Sequence, residues 1–458
     1  MPVDLASTPS WKAADSDTSE MLTRLQANIL KGHGRRATRL LFLRFIGPQD
    51  GSRAFLRTIE PLAMSASKQL GQAEIFKQTG QSGDPVLCIY LSSKGYSALG
   101  LDALKPQVDD GGAFFNGMAA RSGILTDPTG NDIEPGYRGD IHAMVLIAGD
   151  PDTSDSWTSN TVDNVETQVL NLMSQAATVV ASESGRAIFN AHGDGLEHFG
   201  YVDGRSQPLL LLEDVQDEQA KSGIDQWDPT FPLSQVLVPD PGGNSANAFG
   251  SFFVFRKLEQ NVDAFKTAED ALGVRLKNGE LAGATLVGRF EDGTPVEPVQ
   301  FNGTDGQNAP ITNNFNYSGD PPQGIRCPVH AHIRKTNPRN FRQPIMARRA
   351  IPYGQRDKIV NPSDRPQRDV GLLFMAHQSN LARQFEFTQQ TWANSATFPT
   401  GGTGLDPIIG QGVHPDLTHF ERWNDPASPK QPAPFGGFVR LKGGEYFFAP
   451  SKSMLSSL

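Results

Sequence analysis

Three features are scarce in this sequence, and each scarcity excludes a class of protein. Only two cysteines, Cys88 and Cys327, occur in 458 residues, too few for a disulfide-stapled scaffold, so we expect both to be reduced thiols. The 41 basic residues are outnumbered by 50 acidic residues. The resulting net charge of −9 predicts no nucleic-acid partner, because phosphates would be repelled on average. No apolar run approaches the roughly 20 residues of a membrane span, so we expect no membrane partner.

The amino terminus also lacks the features of export signals. Its first residues, Met-Pro-Val-Asp-Leu-Ala-Ser, contain neither a basic region followed by an apolar one nor a twin-arginine pair. We therefore expect a cytoplasmic protein, with export by a non-classical route as the alternative.

Glycine and proline are abundant, with 46 and 33 residues, and this predicts many short elements joined by loops. Apolar segments of strand length alternate with amphipathic segments of helix length. Strands are predicted at residues 39–45, 85–91, 141–147, 249–258 and 370–376, a hairpin at 437–448, and helices at 25–30, 165–180, 262–272 and 381–392. The strands are too few and too widely spaced for a doubly wound parallel sheet. We therefore predict an α+β fold of antiparallel sheets with packed helices.

The same alternation in both halves of the chain predicts two similar units in tandem. The length agrees with this, because 458 residues exceed the ~100–200 residues of a typical domain. Residues 1–20 are polar and rich in serine and aspartate, so we expect a flexible arm there. The first unit is predicted over residues 21–215 and the second over residues 216–458, with the boundary in loop-rich sequence.

Two histidines stand two positions apart in Cys327-Pro-Val-His330-Ala-His332, and basic residues follow within 334–339. Three interpretations fit this pattern. The histidines could be hydrogen-bonded loop residues without a ligand. Alternatively, Cys327, His330 and His332 could form a zinc or copper site. In the third interpretation, one histidine binds a haem iron and the basic residues meet its anionic propionates.

Two further segments carry candidate functional groups. Gly200-Tyr-Val-Asp203-Gly204 places an acid between glycines, which let a backbone approach a flat ligand closely, although Asp-Gly is also a common turn. The segment Met346–Gly354 contains the pair Arg348-Arg349. The ordinary interpretation of such a pair is a solvated basic stretch before a turn.

Taken together and in this order, the three segments resemble the motifs of the dye-decolorising peroxidases. The motifs are Gly200–Gly204, the stretch from His332 to Arg339, and Arg348–Gly354. Further similarities run from near the start of the chain to near its end, at Leu25–Gly34, Val287–Pro295, Gly371–Phe374, Gln384–Trp392 and Gly404–Gly410. A single Gly-x-x-Asp-Gly motif is weak evidence, but this many segments in the order of the family are specific.

The resemblance implies two fused ferredoxin-like units of the dimeric α+β barrel type. It also implies that haem b is bound mainly by the C-terminal unit, residues 216–458. By position, His332 matches the proximal iron ligand of the family. Asp203 and Arg348 match the catalytic acid and arginine on the opposite, distal side of the haem.

Further residues are implied to bind the cofactor around these three. They are Gly204, Arg334, Arg339, Leu372, Phe374 and Asp406. Leu372 and Phe374 match the apolar wall of the distal pocket, and Asp406 matches the carboxylate that bonds to the proximal imidazole. The two arginines are expected to meet the propionates.

The function implied by the resemblance is that of a peroxidase. It reduces hydrogen peroxide and oxidises dyes, phenols or similar aromatic donors through a high-valent ferryl haem intermediate, as a monomer or a homodimer. Two alternatives stand beside it. One is a non-haem metalloprotein that uses Cys327, His330 and His332, and the other is a haem-binding carrier or sensor without significant turnover.

Overall fold

A computed structural model describes residues 2–153, 156–276, 279–297, 312–339, 344–356, 363–411 and 417–458. Within these residues, the strands are β1 (Ala37–Phe45), β2 (Val86–Leu91), β3 (Ala143–Gly149), β4 (Ala177–Arg186), β5 (Ile188–Phe189), β6 (Gly195–Leu196), β7 (Val238–Pro239), β8 (Phe249–Gln260), β9 (Ala347–Arg348), β10 (Ile351–Tyr353), β11 (Gly371–Gln378), β12 (Thr418–Phe420), β13 (Lys430–Pro432) and β14 (Val439–Ala449).

The helices of the described residues lie mostly between these strands. The α-helices are α1 (Ser16–Arg24), α2 (Gln49–Ile59), α3 (Ala66–Thr79), α4 (Ser93–Ala98), α5 (Ala113–Asn116), α6 (Ser122–Leu125), α7 (Asn160–Met173), α8 (Leu212–Lys221), α9 (Val262–Leu276), α10 (Gly279–Val287), α11 (His332–Thr336) and α12 (Lys452–Ser457). Two π-helices, Ala382–Glu386 and Thr388–Ala393, follow β11. No helix in this part of the chain is both long and apolar enough to cross a bilayer.

Eight of the described strands form a closed antiparallel barrel. Their order around the barrel is β8-β14-β2-β3-β1-β4-β10-β11, and β11 pairs back onto β8. Side chains alternate between two buried clusters, because successive residues of a strand point to opposite faces of the sheet. On β1, Leu40 and Phe42 belong to one cluster. Leu41 and Leu43 belong to the other, to which helices α2 and α7 contribute.

Each half of the barrel repeats one four-stranded unit. The first half has the order β4-β1-β3-β2 and the second β14-β8-β11-β10, so both units read fourth, first, third, second in chain order. The two units join where Leu91 pairs with Phe448 and where Gly185 pairs with Tyr353. The structure thus confirms the predicted α+β fold of two fused ferredoxin-like units.

The hairpin predicted over residues 437–448 is wrong. β14 is a single strand, with a register shift just before Gly443. Gly443 and Gly444 suggested a turn, but they lie within the strand. Tyr137 and Met118 occupy the space that a Cβ atom at these two positions would need, so only glycine fits there. The two glycines therefore let the side chains of Tyr137 and Met118 approach the backbone of β14 closely, and the chain does not reverse there.

The flexible arm predicted over residues 1–20 is also corrected. Helix α1 forms its last part. Ahead of that helix, the carbonyl oxygens of Leu5 and Pro9 accept backbone hydrogen bonds from Ser234 (2.8 Å) and Leu212 (3.0 Å). The segment is therefore packed against the rest of the fold, because backbone hydrogen bonds join it to residues far away in sequence.

The helix predicted over residues 25–30 does not form, and α1 ends before this segment. Gln26 makes a β-bridge with Ser65, and its side-chain amide binds both the N–H (2.7 Å) and the carbonyl oxygen (2.8 Å) of Ile89. Asn28 adopts a φ of 68°, which a right-handed helix does not allow. Tertiary hydrogen bonds thus override the apolar pattern here.

We expect Gly371→Ala to lower the free energy of unfolding by about 1–3 kcal/mol, the usual cost of overpacking. Gly371 pairs with both Glu259 of β8 and Tyr353 of β10. A Cβ atom there would overlap the carbonyl oxygen of Leu258 and lie 2.9 Å from Cα of Glu259. Urea denaturation measures the change.

Gly71→Ala is the matched control for this substitution. Gly71 lies inside helix α3, and no atom lies within 4 Å of its Cβ position. The alanine should therefore stabilise the protein by about 0.5–1 kcal/mol, because it restricts the unfolded chain. If Gly371→Ala were as well tolerated as Gly71→Ala, the close approach at the barrel closure would be disproved.

Candidate active site

A cavity of about 480 Å³ collects most of the residues that the sequence predicts as a site. Its size lies within the range of about 300–1,000 Å³ that is usual for small-molecule sites. The loop after β6, the start of α11 and strands β9 and β11 contribute to its walls. Seven of the nine predicted site residues line it: Asp203, Gly204, His332, Arg339, Arg348, Leu372 and Phe374.

The first residue of α11, His332, is held by a buried carboxylate. Its Nδ1 lies 2.9 Å from Oδ2 of Asp406, which is fully buried. The other carboxylate oxygen of Asp406 accepts hydrogen bonds from the backbone N–H groups of Ile408 (2.8 Å) and Ile409 (3.0 Å). Asp406 is thereby fixed, and Nε2 is the ring nitrogen of His332 left to ligate a metal ion from the cavity side.

The electrostatics of this pair favour a basic imidazole. Burial by itself lowers the pKa of His332, but the charge and the hydrogen bond of Asp406 outweigh burial and raise that pKa above its ordinary value. Burial likewise disfavours the charged form of Asp406, yet His332 lowers the pKa of this carboxyl overall. A histidine held in this way is a strong electron donor to a metal ion.

Asp203 and Arg348 form a second pair on the cavity wall. Oδ1 of Asp203 lies 3.8 Å from Nη1 of Arg348, and each side chain is about one-third exposed, at 35% and 30%. Gly204 adopts a φ of 80°, a left-handed conformation that bends the chain directly after the acid. Arg348 is held by its own N–H, which donates to Oε1 of Gln207 (3.0 Å), and by a bond from its guanidinium to the carbonyl oxygen of Arg205.

Strand β11 supplies an apolar part of the wall. Leu372 and Phe374 point to the same side because they are two positions apart on a strand, and both are only partly buried. The intervening Leu373 and the following Met375 are fully buried in the core. The ring of Phe374 lies 6.2 Å from that of Phe385, which also lines the cavity.

A buried cluster of cations lies at another part of the cavity. The guanidinium of Arg289 donates to the carbonyl oxygen of Gly293 (2.9 Å) and to Oδ1 of Asn313 (2.8 Å). Arg339 donates to the carbonyl oxygen of Asn313 (2.5 Å) and to Oγ of Ser206 (3.0 Å). Among the described residues, neither arginine is paired with a carboxylate, and the buried Nε of Arg339 has no hydrogen-bond partner. The cluster therefore offers unused positive charge to an anionic ligand.

Two cavity residues were missed by the sequence reasoning. Burial, with a further contribution from the neighbouring Arg339, lowers the pKa of Arg289 to about 9. The carboxylate of Glu197 accepts hydrogen bonds from the N–H groups of Phe199 (2.8 Å) and Tyr201 (3.0 Å), and burial raises its pKa to about 7. Arg289 lies in the Val287–Pro295 segment and Glu197 lies three residues before the Gly200–Gly204 motif, but a single sequence gives no signal that these positions face the cavity.

The expectation that Arg334 meets an anionic cofactor is corrected. Two residues correspond to a rotation of about 200° around the axis of an α-helix, so Arg334 lies on nearly the opposite side of α11 from His332. Its guanidinium binds Oδ2 of Asp320 (2.6 Å) and the carbonyl oxygen of Cys327, and lies 4.7 Å from the ring centre of Tyr317. Arg334 is thus absent from the described lining of the cavity.

The structure does not support the alternative metal site. Cys327 is buried beside Phe315 and Tyr317, and burial raises the pKa of its thiol to about 12. The ring of His330 packs edge-on against that of His419, with 4.6 Å between the ring centres. In the part of the chain that the structure describes, no three histidine, cysteine, aspartate or glutamate side chains come together as a metal site.

Comparisons with known proteins agree with this geometry. Residues 232–398 match the model of the Dyp-type peroxidase C-terminal family. The chain is 45% identical to the multifunctional dye peroxidase DyP2 of Amycolatopsis sp. over 483 residues, with 100% of both chains covered. The chain belongs to the DyP-type peroxidase family.

Solved structures of other DyP-type peroxidases superpose on the whole chain. The structure of DyP2 from Amycolatopsis sp. has a TM-score of 0.91 at 43% identity and covers 100% of each chain. A DyP-type peroxidase from Anabaena sp. has a TM-score of 0.88 at 36% identity, with 99% of this chain and 98% of that chain covered. The protein is therefore a dye-decolorising-type peroxidase, an oxidoreductase with peroxide as its acceptor, from a family that depends on haem.

We expect Asp406→Asn to lower the pKa of His332, because the burial of the imidazole then acts without a compensating charge. NMR titration of the histidine ring protons in the haem-free protein measures this shift. Asp320→Asn is the matched control: it also removes a buried carboxylate, but one that binds Arg334. An unchanged His332 pKa in Asp406→Asn would contradict the electrostatic description of the pair.

Proposed function

We propose that this DyP-type peroxidase binds haem b in the cavity, with Nε2 of His332 as the iron ligand. The observation that carries the proposal is the shared cavity, which His332, the Asp203–Arg348 pair and Arg339 all line. When it is bound, the haem supplies the redox chemistry by which peroxide is reduced and a donor is oxidised. We further propose residues 21–215 and 216–458 as the two units, with the second as the main haem-binding part.

The cavity residues fit such a cofactor in charge and in polarity. Haem carries two carboxylates, and Arg289 and Arg339 are buried cations without carboxylate partners among the described residues. Leu372 and Phe374 offer an apolar surface to the flat ring. Asp406 makes His332 more basic, which increases electron donation to an iron ion.

Asp203 is the residue proposed to move the proton. A carboxylate oxygen can accept a proton from one oxygen of hydrogen peroxide and return it to the other, which leaves as water. The two electrons that cleavage of the O–O bond requires would come from the bound haem, which would also retain the remaining oxygen atom. Gly195 fixes the backbone of Asp203, because its carbonyl oxygen accepts the Asp203 N–H at 2.9 Å. A side chain positioned for proton transfer contributes about 10²–10⁴-fold to a rate.

Arg348 is proposed to bind and orient the peroxide. Its guanidinium keeps its charge and presents several N–H donors in a fixed plane. The 3.8 Å between it and Asp203 is longer than a hydrogen bond, so neither group saturates the other. A preorganised cation beside the acid stabilises negative charge as it develops on the peroxide oxygens.

Aromatic electron donors are the proposed reducing substrates. A related DyP has been solved in complex with 2,6-dimethoxyphenol, and it is 28% identical to this chain with a TM-score of 0.73. We propose hydrogen peroxide and such donors as the two substrates.

His332→Ala is expected to abolish stoichiometric haem binding, since it removes the proposed iron ligand. The ratio of Soret to protein absorbance after reconstitution measures occupancy. The matched control is His330→Ala, which removes the neighbouring histidine that packs on His419. Full haem occupancy in His332→Ala would rule out the ligand assignment.

Asp203→Asn should retain haem but slow the reaction with hydrogen peroxide by about 10²–10⁴-fold, because the proton acceptor is lost. Arg348→Leu should slow it by about 10²–10³-fold through the loss of a preorganised cation. Stopped-flow absorbance in the Soret region measures both rates. Asp270→Asn is the control, since Asp270 pairs with Arg365 and neither residue is part of the described cavity lining. Rates near the wild-type value in both variants would refute the distal roles.

A further inference from the structure

A buried ammonium lies three residues after His332 on the same helix. Lys335 is fully buried. Its Nζ donates hydrogen bonds to the carbonyl oxygens of Ser395 (2.7 Å), Phe398 (2.9 Å) and Gly404 (2.6 Å). These three acceptors match the three N–H donors of an ammonium group.

The three acceptors belong to one loop, residues 395–404, and this loop leads directly to Asp406. The N–H of Gly404 donates to the carbonyl oxygen of Ala396 (3.0 Å), and that of Asp406 donates to the carbonyl oxygen of Ala393 (2.9 Å). Lys335 therefore connects the helix that carries His332 with the loop that carries Asp406. This connection is additional to the hydrogen bond between the side chains of His332 and Asp406.

A charge buried at this place is costly unless it is fully hydrogen-bonded. Burial lowers the pKa of Lys335 to about 8, while the charge of Asp406 acts in the opposite direction. A well-packed apolar side chain could fill the same volume without that cost. The ammonium instead fixes three backbone carbonyl groups at once, which an apolar side chain cannot do.

We propose that Lys335 is a positioning residue for the proximal pair. By holding the 395–404 loop on α11, it fixes Asp406 against Nδ1 of His332 and so sets the basicity of the iron ligand. The inference rests on the proposed role of His332 as the haem ligand. It extends that role to a residue outside the described lining of the cavity.

Reduction potential and the iron–histidine stretching frequency are the readouts that test this proposal. Both are measured on the haem-loaded protein, by spectroelectrochemistry and by resonance Raman spectroscopy of the ferrous form. Asp406→Asn should raise the Fe(III)/Fe(II) potential and lower the stretching frequency, because a less basic histidine stabilises ferric iron less. Lys335→Met should shift both readouts in the same directions and by a smaller amount.

The double variant Lys335→Met/Asp406→Asn distinguishes positioning from a separate effect. If Lys335 acts through Asp406, the double variant should match Asp406→Asn alone, because the two changes are coupled. Additive shifts would overturn the proposal. A lower potential in Lys335→Met would also overturn it, since that is the direct effect of removing a nearby positive charge.

Lys452→Met is the matched control. Nζ of Lys452 also donates to two carbonyl oxygens, those of Glu60 (3.0 Å) and Ala63 (2.6 Å), but these acceptors follow α2 and do not belong to the 395–404 loop. This variant should lower stability without moving either spectroscopic readout. If Lys335→Met fails to fold, Lys335→Gln carries the test, because its amide keeps two of the three donors and should give a smaller shift in the same directions.

Failure of this inference is distinguishable from failure of the proposed function. If His332→Ala retains full haem occupancy, the proposed ligand is wrong. If His332→Ala loses haem while Lys335→Met shows the wild-type potential and stretching frequency, the ligand stands and the role of Lys335 is refuted.

Discussion

The hydrogen bond between His332 and Asp406 is the interaction on which the proposed chemistry of this protein depends. It joins two segments that are 74 positions apart in sequence, and it is buried on the Asp406 side. In that environment a carboxylate interacts more strongly with an imidazole than it does in water. The fold therefore uses one ring nitrogen of His332, Nδ1, for a hydrogen bond within the protein and leaves the other, Nε2, for a ligand in the cavity.

The cavity concentrates positive charge within an acidic chain. The net charge is −9, yet Arg289, Arg339 and Arg348 all line the same space, which the acids Asp203 and Glu197 also line. Burial lowers the pKa of Arg289 to about 9 and that of Arg339 to about 10, and at Arg289 the neighbouring Arg339 acts in the same direction. A bound anion would offset the free-energy cost of keeping these buried guanidinium groups charged. Charge at the site is thus independent of charge on the whole chain.

The barrel explains how distant segments reach this cavity. β11 pairs with β8, β9 and β10, and it presents Leu372 and Phe374 to the site while the residues between them fill the core. β9 carries Arg348 beside the same strand. Closure of the sheet therefore fixes the apolar wall and Arg348 together, and the loop after β6 adds Asp203 beside that arginine.

Much of the fold and most of the site residues follow from the sequence. The apolar segments are continuous enough to mark β1, β2, β3, β8 and β11, because each is buried on both faces. The ordered motifs identify the family and point to His332, Asp203 and Arg348. Local patterns failed where distant contacts decide the backbone, as in the glycines within β14 and the segment around Gln26.

Only the tertiary structure decided which motif residues share a space. The sequence places Arg334 beside His332, but α11 turns it toward Asp320, because the direction of a side chain depends on the helix and on its packing. Arg289 and Lys335 act through buried polar atoms from segments remote in sequence. Sequence by itself determined the fold class, the family and the chemical types of the site residues. The structure decided their partners, because burial and hydrogen bonding between distant segments exist only once the barrel has closed.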